Sequence, residues 1–291
     1  MQKFIRSRNF LYISLLVLIL TIIPYKAHAI DISVGATTWY TWLEQPFASS
    51  FQAEEERGLE SKKSGPGFLY GPVLSVKFSD DFNLTFVYLY GKFDIEKDND
   101  EDIKHKLKRK DSDIALNYKL NNYFKVFGGL KYIGFNISPD REIVLGVDAT
   151  GTIDSVKHDG YGPGFGLSAT LPIADNIFLL GTVSGFYLWG KESKGFTCES
   201  VPPLNTPMFN KIKADCKDRG INSNLSIAYY IAPASTTISL GGRFQYIKTD
   251  KYKIKNGSVL TGDFRNYQMP DSSTTKFYGI TLTATYSFGI F

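Results

Sequence analysis

The last eleven residues, 281-TLTATYSFGIF-291, alternate between two kinds of side chain. The hydroxyl residues share one parity and the apolar residues share the other: Thr281, Thr283, Thr285 and Ser287 against Leu282, Ala284, Tyr286 and Phe288. Because successive side chains of a β-strand point to opposite faces, this pattern predicts a strand with one polar and one apolar face. The last residue is Phe291. An apolar strand face must be buried against something, and lipid is one medium that would bury it.

The first 29 residues contain three zones in the order that a secretory signal requires. Three basic residues come first, Lys3, Arg6 and Arg8. An apolar run follows over residues 10–23, and 27-AHA-29 has the small residues of a cleavage site. The apolar run of about 14 residues is shorter than the roughly 20 that a spanning helix needs. The sequence therefore predicts a cleaved Sec-type signal over residues 1–29 and one exported domain over residues 30–291.

The positive net charge of the chain comes from this signal segment. The chain has 33 basic and 29 acidic residues, and four of the basic residues but none of the acidic ones lie before residue 30. The exported domain is therefore neutral. Nucleic-acid binding needs a basic excess on some face, so we expect no nucleic acid as a partner.

The two cysteines, Cys198 and Cys216, lie in one polar stretch that resembles a loop. In an oxidising compartment such a pair predicts a disulfide, which would contribute about 3 kcal/mol by loop closure. A metal site is the weaker alternative, because two thiolates with no histidine nearby in the sequence do not make a zinc site. We expect neither a metal nor a cofactor.

Ten runs of alternating residues follow the signal, and their connections fall into two length classes. The predicted strands are 32–42, 73–78, 83–93, 113–120, 124–135, 161–171, 177–189, 221–231, 237–247 and 277–288. Four connections are short and rich in turn formers: 79–81, 121–122, 174–176 and 232–235. The other five are long and polar: 43–65, 96–111, 137–158, 190–220 and 248–274. Short turns that alternate with long loops are typical of an outer-membrane barrel.

The face pattern agrees with this interpretation, because aromatic residues crowd the ends of the apolar faces. They are Tyr40, Trp42, Tyr88, Tyr90, Tyr118, Tyr123, Phe124, Tyr187, Trp189, Tyr229 and Tyr230. Tyrosine and tryptophan favour the membrane interface, since the ring is buried while its polar atom stays hydrated. From residue 30 onward the chain resembles the bacterial outer-membrane β-barrel class.

The resemblance implies an all-β, up-and-down antiparallel transmembrane barrel of about ten strands, with short periplasmic turns and long extracellular loops. It also implies outer-membrane lipid and lipopolysaccharide as partners. Barrels of this class are inserted by the barrel-assembly machinery, which reads a terminal aromatic residue. Tyr286, Phe288 and Phe291 are the candidates for that signal.

Ten strands enclose a narrow interior, and the predicted inward parity carries charge. The predicted inward charges are Asp113, Lys119, Lys131 and Arg243, together with Lys77 and Lys125. Five basic residues against one acidic residue favour an anion-preferring path, so the leading hypothesis is a narrow pore for small polar solutes. The alternative is that the lysines near the periplasmic turns extend to water, in a closed structural or surface-binding, adhesin-like barrel.

A third hypothesis is a hydrolase with its active site at the rim. His158-Asp159, with Asp94 or Asp250 at other strand tops, would imitate the Asp/His arrangement of the omptin proteases. A histidine beside an aspartate is common in polar loops, so we expect no enzymatic activity. Segments 43–67 and 96–111 each have acidic residues followed by basic ones. They suggest either cation-bridged lipopolysaccharide binding or charge-paired hairpins.

Overall fold

The computed structural model describes residues 30–44, 66–95, 105–138, 141–146, 149–198, 208–256 and 272–290. The signal segment and Phe291 lie outside these residues. The strands are β1 (Ile30–Glu44), β2 (Gly67–Lys77), β3 (Phe82–Ile95), β4 (His105–Lys119), β5 (Phe124–Ser138), β6 (Arg141–Gly146), β7 (Ala149–Ala174), β8 (Ile177–Cys198), β9 (Met208–Ile231), β10 (Thr236–Asn256) and β11 (Ser272–Ile290). Among the described residues, no helix is long and apolar enough to cross a membrane.

The strands close into a ten-stranded antiparallel barrel. Apart from β6, strands that follow one another in the sequence pair with each other; β5 pairs with β7, and β1 pairs with β11. The short strand β6 folds back on β7 and takes no place in the ring. The predicted number of strands and the up-and-down order are confirmed.

The short turns also lie where the sequence predicts them. Asp175 and Asn176 form a two-residue turn between β7 and β8, and Asn176 has a left-handed backbone with φ of 63°. Asparagine tolerates this conformation better than most residues do. In the turn after β4, Asn121 Oδ1 accepts the backbone N–H groups of Tyr123 and Phe124 at 2.8 and 2.9 Å. The side-chain amide therefore replaces a backbone partner at the tip of this turn.

The outward parity of the strands forms an apolar band between two aromatic girdles. Leu130 and Phe165 are each 66% exposed, which places them on the outer surface of the barrel. The girdle at the short-turn end contains Phe82, Tyr118, Phe124, Tyr229, Tyr286 and Phe288. The girdle at the other end, the upper girdle, contains Tyr40, Trp42, Phe68, Tyr90, Tyr132, Tyr161, Trp189, Tyr246 and Tyr278. Such a band matches the hydrocarbon core of a bilayer, so this barrel is a transmembrane one.

The seam between β1 and β11 shows how the barrel closes. The register runs without interruption from Ile30 opposite Ile290 to Glu44 opposite Lys276. Inward hydroxyl groups pair across it, with 2.8 Å between Ser33 Oγ and Ser287 Oγ and 2.6 Å between Thr37 Oγ1 and Thr283 Oγ1. The polar face of the last strand therefore points into the barrel, and its apolar face points to lipid.

At the end of the barrel away from the short turns, the strands extend further than the sequence predicts. Strands β7, β8 and β9 contain 26, 22 and 24 residues, whereas a tilted strand crosses a bilayer in about 9–11. The expected loops 137–158 and 190–220 are therefore largely strand. Above the upper girdle both faces of a strand carry polar residues, so the apolar alternation that marks a membrane strand stops there.

The predicted disulfide is absent. Cys216 lies opposite Gly190, and Cys198 lies opposite Met208, eight residues further along β8. At about 3.3 Å per residue the two positions are roughly 26 Å apart, whereas disulfide-linked Cα atoms are within about 7 Å. Cys216 is a buried free thiol. The segment that resembled a loop consists of the tops of two strands, which hold the cysteines apart.

Deletion of residues 288–291 tests the seam. Phe288 lies opposite Ile32, so the deletion removes the pairing partners of the first residues of β1. We expect the deleted chain to fail to insert into the outer membrane, because the unpaired end of β1 would face lipid. The role of Tyr286, Phe288 and Phe291 as an assembly signal also remains a prediction.

The measurement is the fraction of chain that is recovered in outer membranes and that migrates as a folded species in unheated gels. Phe288→Tyr, which retains the ring and the register, is the control and is expected to insert normally. Normal insertion of the deleted chain would contradict the prediction.

Candidate functional site

Buried apolar side chains fill the upper half of the barrel interior. They are Trp39, Leu43, Leu69, Leu89, Phe93, Leu107, Ile133, Phe135, Val156, Phe186, Leu188, Ile247 and Phe277. Phe277 lies among the rings of Trp39, Phe93 and Phe135, at centroid distances of 6.2, 6.1 and 5.8 Å. Phe277 and Trp39 have no exposed surface. At this level the interior is therefore a packed core, which we call the plug.

The other half of the interior, toward the short turns, is lined differently. Small hydroxyl side chains that are half-buried face inward there, including Ser75, Thr85, Ser168, Thr182, Ser239 and Thr285. Neighbouring side chains occupy part of the space beside the inward glycines of β7. A Cβ at Gly166 would lie 2.4 Å from the ring of Phe127. This end is a polar vestibule below the plug.

A network of buried charges crosses the plug, and Asp111 is its centre. Asp111 accepts from Arg109 at 2.7 Å and from Lys131 at 2.8 Å, and Arg243 lies 3.5 Å from it. Lys131 also binds Asp113 at 2.9 Å. The side chain of Asp111 is 1% exposed and that of Asp113 is 34% exposed. Three cations therefore share one fully buried carboxylate.

Aromatic rings of the plug also contact these cations. The Arg109 guanidinium carbon lies 3.9 Å from the ring centroid of Phe277 and 4.9 Å from that of Trp39. Arg243 lies 4.5 Å from the Trp39 ring on another side. Arg109 also donates to Gln245 Oε1. Cation–π contacts strengthen when both partners are desolvated, so the aromatic and charged parts of the plug support each other.

Three of the four predicted lumen residues belong to this network. Asp113, Lys131 and Arg243 face inward as expected, whereas Lys119 lies near the short turns, half-buried and away from the network. The predicted basic excess is smaller at the plug, where Asp111 and Asp113 oppose Arg109, Lys131 and Arg243. Arg109 and Asp111 were not among the predicted lumen residues, because the predicted strand began at residue 113. The signal was present, since the inward parity continues unbroken back to Leu107.

A second buried cluster lies where β7, β8, β9 and β10 rise above the upper girdle. His158 Nε2 lies 2.9 Å from Asp218 Oδ2, and His158 Nδ1 lies 3.8 Å from Cys216 Sγ and 3.9 Å from Glu192 Oε2. Thr249 donates to Asp218 Oδ1 at 2.7 Å. All five side chains are at most 3% exposed. We call this group the histidine cluster.

His158 and Asp159 do not form the rim site that the sequence analysis describes as a hypothesis. His158 points into the barrel, whereas Asp159 points outward and accepts from the Tyr132 hydroxyl at 2.6 Å. Adjacent residues of a strand face opposite sides, so His158 and Asp159 do not form one site. Asp218 is the actual partner of the histidine, and no local pattern indicates this contact because sixty residues separate the two.

The outward surface immediately above the upper girdle is strongly basic. The described cations on it are Lys92, Lys106, Lys108, Lys110, Lys157, Lys191, Lys213, Lys217, Arg219, Lys248 and Lys276. The described carboxylate side chains at the same level are Glu44, Asp159, Asp215 and Asp250, and the register places Asp94 opposite Lys106. Some cations are neutralised locally, as Arg219 is by Asp250 at 2.6 Å and Lys276 by Glu44 at 3.4 Å. We call this surface the basic belt.

The belt is most concentrated on β3 and β4. Lys92 lies directly opposite Lys108, and Lys110 lies opposite Tyr90. Among the side chains that the structure describes, no ion pair involves Lys92, Lys106, Lys108 or Lys110. Like charges directly opposite each other destabilise a strand pair. An anionic partner from outside the chain would remove this repulsion.

A ring of ten strands with a lipid-facing apolar band and girdles at both ends is now established. The fold is that of bacterial outer-membrane β-barrel proteins. No protein-family model and no curated protein sequence matches the chain.

Three solved structures illustrate the similarity. The outer membrane protease OmpT of Escherichia coli is 10% identical, with a TM-score of 0.46 over 89% of this chain and 97% of that one. The translocator domain of the autotransporter NalP of Neisseria meningitidis is 9% identical, with a TM-score of 0.38 over 97% of each chain. Ail, the attachment invasion locus protein of Yersinia pestis, is 10% identical, with a TM-score of 0.28 over 89% and 98%. At these values the similarities assign no activity, substrate or partner to this chain.

Asp111→Asn tests the central role of this carboxylate. The substitution leaves Arg109 and Arg243 with a neutral partner, while Lys131 keeps Asp113, and removing one side of a buried ion pair typically costs about 3–5 kcal/mol. We expect the free energy of unfolding to fall by that amount. Urea unfolding of the refolded protein in detergent, followed by tryptophan fluorescence, measures it.

Asp113→Asn is the matched control. Asp113 is one-third exposed, and Lys131 would keep its bond to Asp111, so a much smaller loss is expected. Equal losses for the two variants would show that Asp111 is not the centre of the network.

Proposed function

We propose that the protein is a closed barrel of the bacterial outer membrane that binds phosphorylated lipid on its outward surface. The observation that carries the first half of this proposal is the plug. Its large side chains Trp39, Phe277 and Arg109 are completely buried inside the barrel. A pore requires a continuous path of water, and a packed aromatic core excludes water.

The charges inside the barrel also favour a closed state over a solute path. A selective pore presents charged groups to passing ions, which must be able to replace water at those groups. Here Arg109, Lys131 and Arg243 all lie within ion-pair distance of Asp111, so each of these cations already has a partner in the protein. Moving any of them aside for a solute would expose an uncompensated buried charge. The surface-binding alternative therefore has more support than the narrow pore.

The basic belt supports the second half of the proposal. It lies directly above the upper girdle, which is the level of the lipid headgroups. A shallow, open depression of about 450 Å³ in the outward surface is lined by Tyr70, Gly71, Pro72, Tyr88, Tyr90 and Lys110. An apolar depression with a cation in its lining suits an acyl chain that ends in a phosphate. Lipopolysaccharide has this chemistry.

The hydrolase alternative has less support. His158 lies inside the barrel and contacts Asp218, and the neighbouring Asp159 is on the opposite face. We therefore propose that the protein is not an enzyme.

Single-channel recording tests the closed state. Residues 30–291, refolded and placed in a planar bilayer, are expected to give no steady openings. The double variant Trp39→Ala/Phe277→Ala removes two large side chains from the plug and is expected to conduct. Steady openings of the unmodified protein would overturn the closed state and favour the pore.

The control is Phe165→Ala/Phe244→Ala, which removes two rings of the outer surface. It should remain silent, because it changes the lipid contact and leaves the plug intact. Migration in unheated gels confirms that each protein tested has folded.

Binding of lipopolysaccharide to the detergent-solubilised protein tests the belt. The variant in which Lys92, Lys106, Lys108 and Lys110 are all changed to Gln is expected to bind at least about tenfold more weakly, since each lysine near an anionic surface contributes roughly 1 kcal/mol. Unchanged affinity would contradict the proposed lipid site.

Two comparisons sharpen the result. Lys119→Gln/Lys125→Gln changes charge at the other end of the barrel and should not affect binding. Competition by inorganic phosphate and by an anionic phospholipid separates the possible sources of the phosphate group. Equal competition by the phospholipid would mean that the belt binds anionic headgroups in general.

A further inference from the structure

The histidine cluster combines one nitrogen, one sulfur and two carboxylate groups in a small buried space. The side-chain ligand atoms of His158, Cys216 and Asp218 all lie within 4.8 Å of one another, and Glu192 approaches the opposite side of the histidine ring from Asp218. A buried cysteine is often only a small apolar residue, with apolar neighbours. Here the Cys216 sulfur lies beside an imidazole nitrogen instead.

We propose that His158 Nδ1, Cys216 Sγ and the Glu192 carboxylate bind a divalent transition-metal cation, with Zn²⁺ as the best fit. The proposal is independent of whether the barrel conducts. The nitrogen–sulfur and nitrogen–oxygen distances are 3.8 and 3.9 Å. Bond lengths of about 2.0–2.3 Å in a tetrahedral site place such atoms about 3.4–3.6 Å apart. Both distances from His158 Nδ1 are therefore close to those that a shared cation requires.

Asp218 has a separate role in this site as a positioning residue. Its Oδ2 lies 2.9 Å from Nε2, the ring nitrogen that faces away from Cys216 and Glu192. A metal-binding histidine almost always donates its other N–H to a carboxylate or a carbonyl, which fixes the ring and its tautomer. Thr249 in turn holds the second oxygen of Asp218 at 2.7 Å. The chain therefore contains both the ligands and the support that orients them.

Two glycines leave room for this arrangement. A Cβ at Gly190 would lie 2.5 Å from Cys216 Sγ and 3.3 Å from His158 Cε1. A Cβ at Gly160 would lie 2.6 Å from Asp218 Oδ2. Any side chain at either position would displace a member of the cluster. The two glycines border the cluster on β7 and β8.

The chemistry of the ligands selects the class of metal. Calcium and magnesium prefer sites made only of oxygen, and a thiolate with an imidazole favours zinc or another late transition metal. The three ligands come from β7, β8 and β9, above the lipid-facing band. A cation would thus join the upper ends of three strands. A metal was not expected from the sequence because no histidine is near the cysteines in it, but His158 and Cys216 meet across 58 residues.

Titration of the refolded protein, residues 30–291, with Co²⁺ alone tests the site. Binding of one cobalt per chain with a sulfur-to-cobalt charge-transfer band in the near-ultraviolet is expected, because the band reports a thiolate ligand. Zn²⁺ should then displace the cobalt and remove the band. Cys216→Ser and His158→Ala should abolish the band, and Glu192→Gln should weaken binding.

The control is Cys198→Ser, which removes the other thiol and should leave the band unchanged. Asp218→Asn should retain the band while binding weakens about 10–100-fold, as expected for a residue that orients a ligand. Folding of every variant is checked by its migration in unheated gels, so loss of the band is interpreted only for folded protein.

Three results would overturn the assignment. One is the absence of a charge-transfer band in folded unmodified protein, which would mean only adventitious surface binding of cobalt. Another is a band that survives Cys216→Ser or disappears with Cys198→Ser. The third is loss of the band in Asp218→Asn with unchanged binding in Glu192→Gln, which would make Asp218 the carboxylate ligand.

Discussion

Every backbone N–H and C=O group of this chain that faces lipid must find a partner within the sheet, and this constraint controls the rest of the structure. An unpaired backbone group in hydrocarbon costs several kcal/mol, so an open sheet edge is not tolerated there. The β1–β11 ladder removes the last edge over its full length. Its register also fixes the direction of every side chain, because a slip of one residue would exchange the inner and outer faces.

Closing the sheet into a ring creates an interior, and charged side chains that point inward are buried there. Arg109, Asp111 and Lys131 have inward positions that the register dictates. Within a narrow ring such groups must neutralise one another, since a single buried charge is far more costly than a paired one. The rings of Trp39 and Phe277 fill the remaining space and contact the Arg109 guanidinium. In the plug, paired charges and aromatic rings therefore occupy the same layer of the interior.

Two other regions of the protein could carry chemistry, one on the surface and one buried. The basic belt faces outward at the level where lipid phosphates lie, and the histidine cluster is enclosed by the upper parts of β7, β8, β9 and β10. Both lie above the upper girdle. The long upper strands are therefore the part of this barrel that distinguishes it from a minimal membrane-spanning ring, which about ten residues per strand would complete.

The sequence by itself determined the class of fold, the ten barrel strands, the sites of the short turns and the inward direction of Asp113, Lys131 and Arg243. These features depend on local alternation and on turn residues, which act over a few positions. Only the tertiary structure decided the length of the upper strands, the separation of Cys198 from Cys216 and the pairing of His158 with Asp218. Those contacts join residues far apart in the chain through the register of neighbouring strands, and above the membrane no apolar face marks where a strand continues.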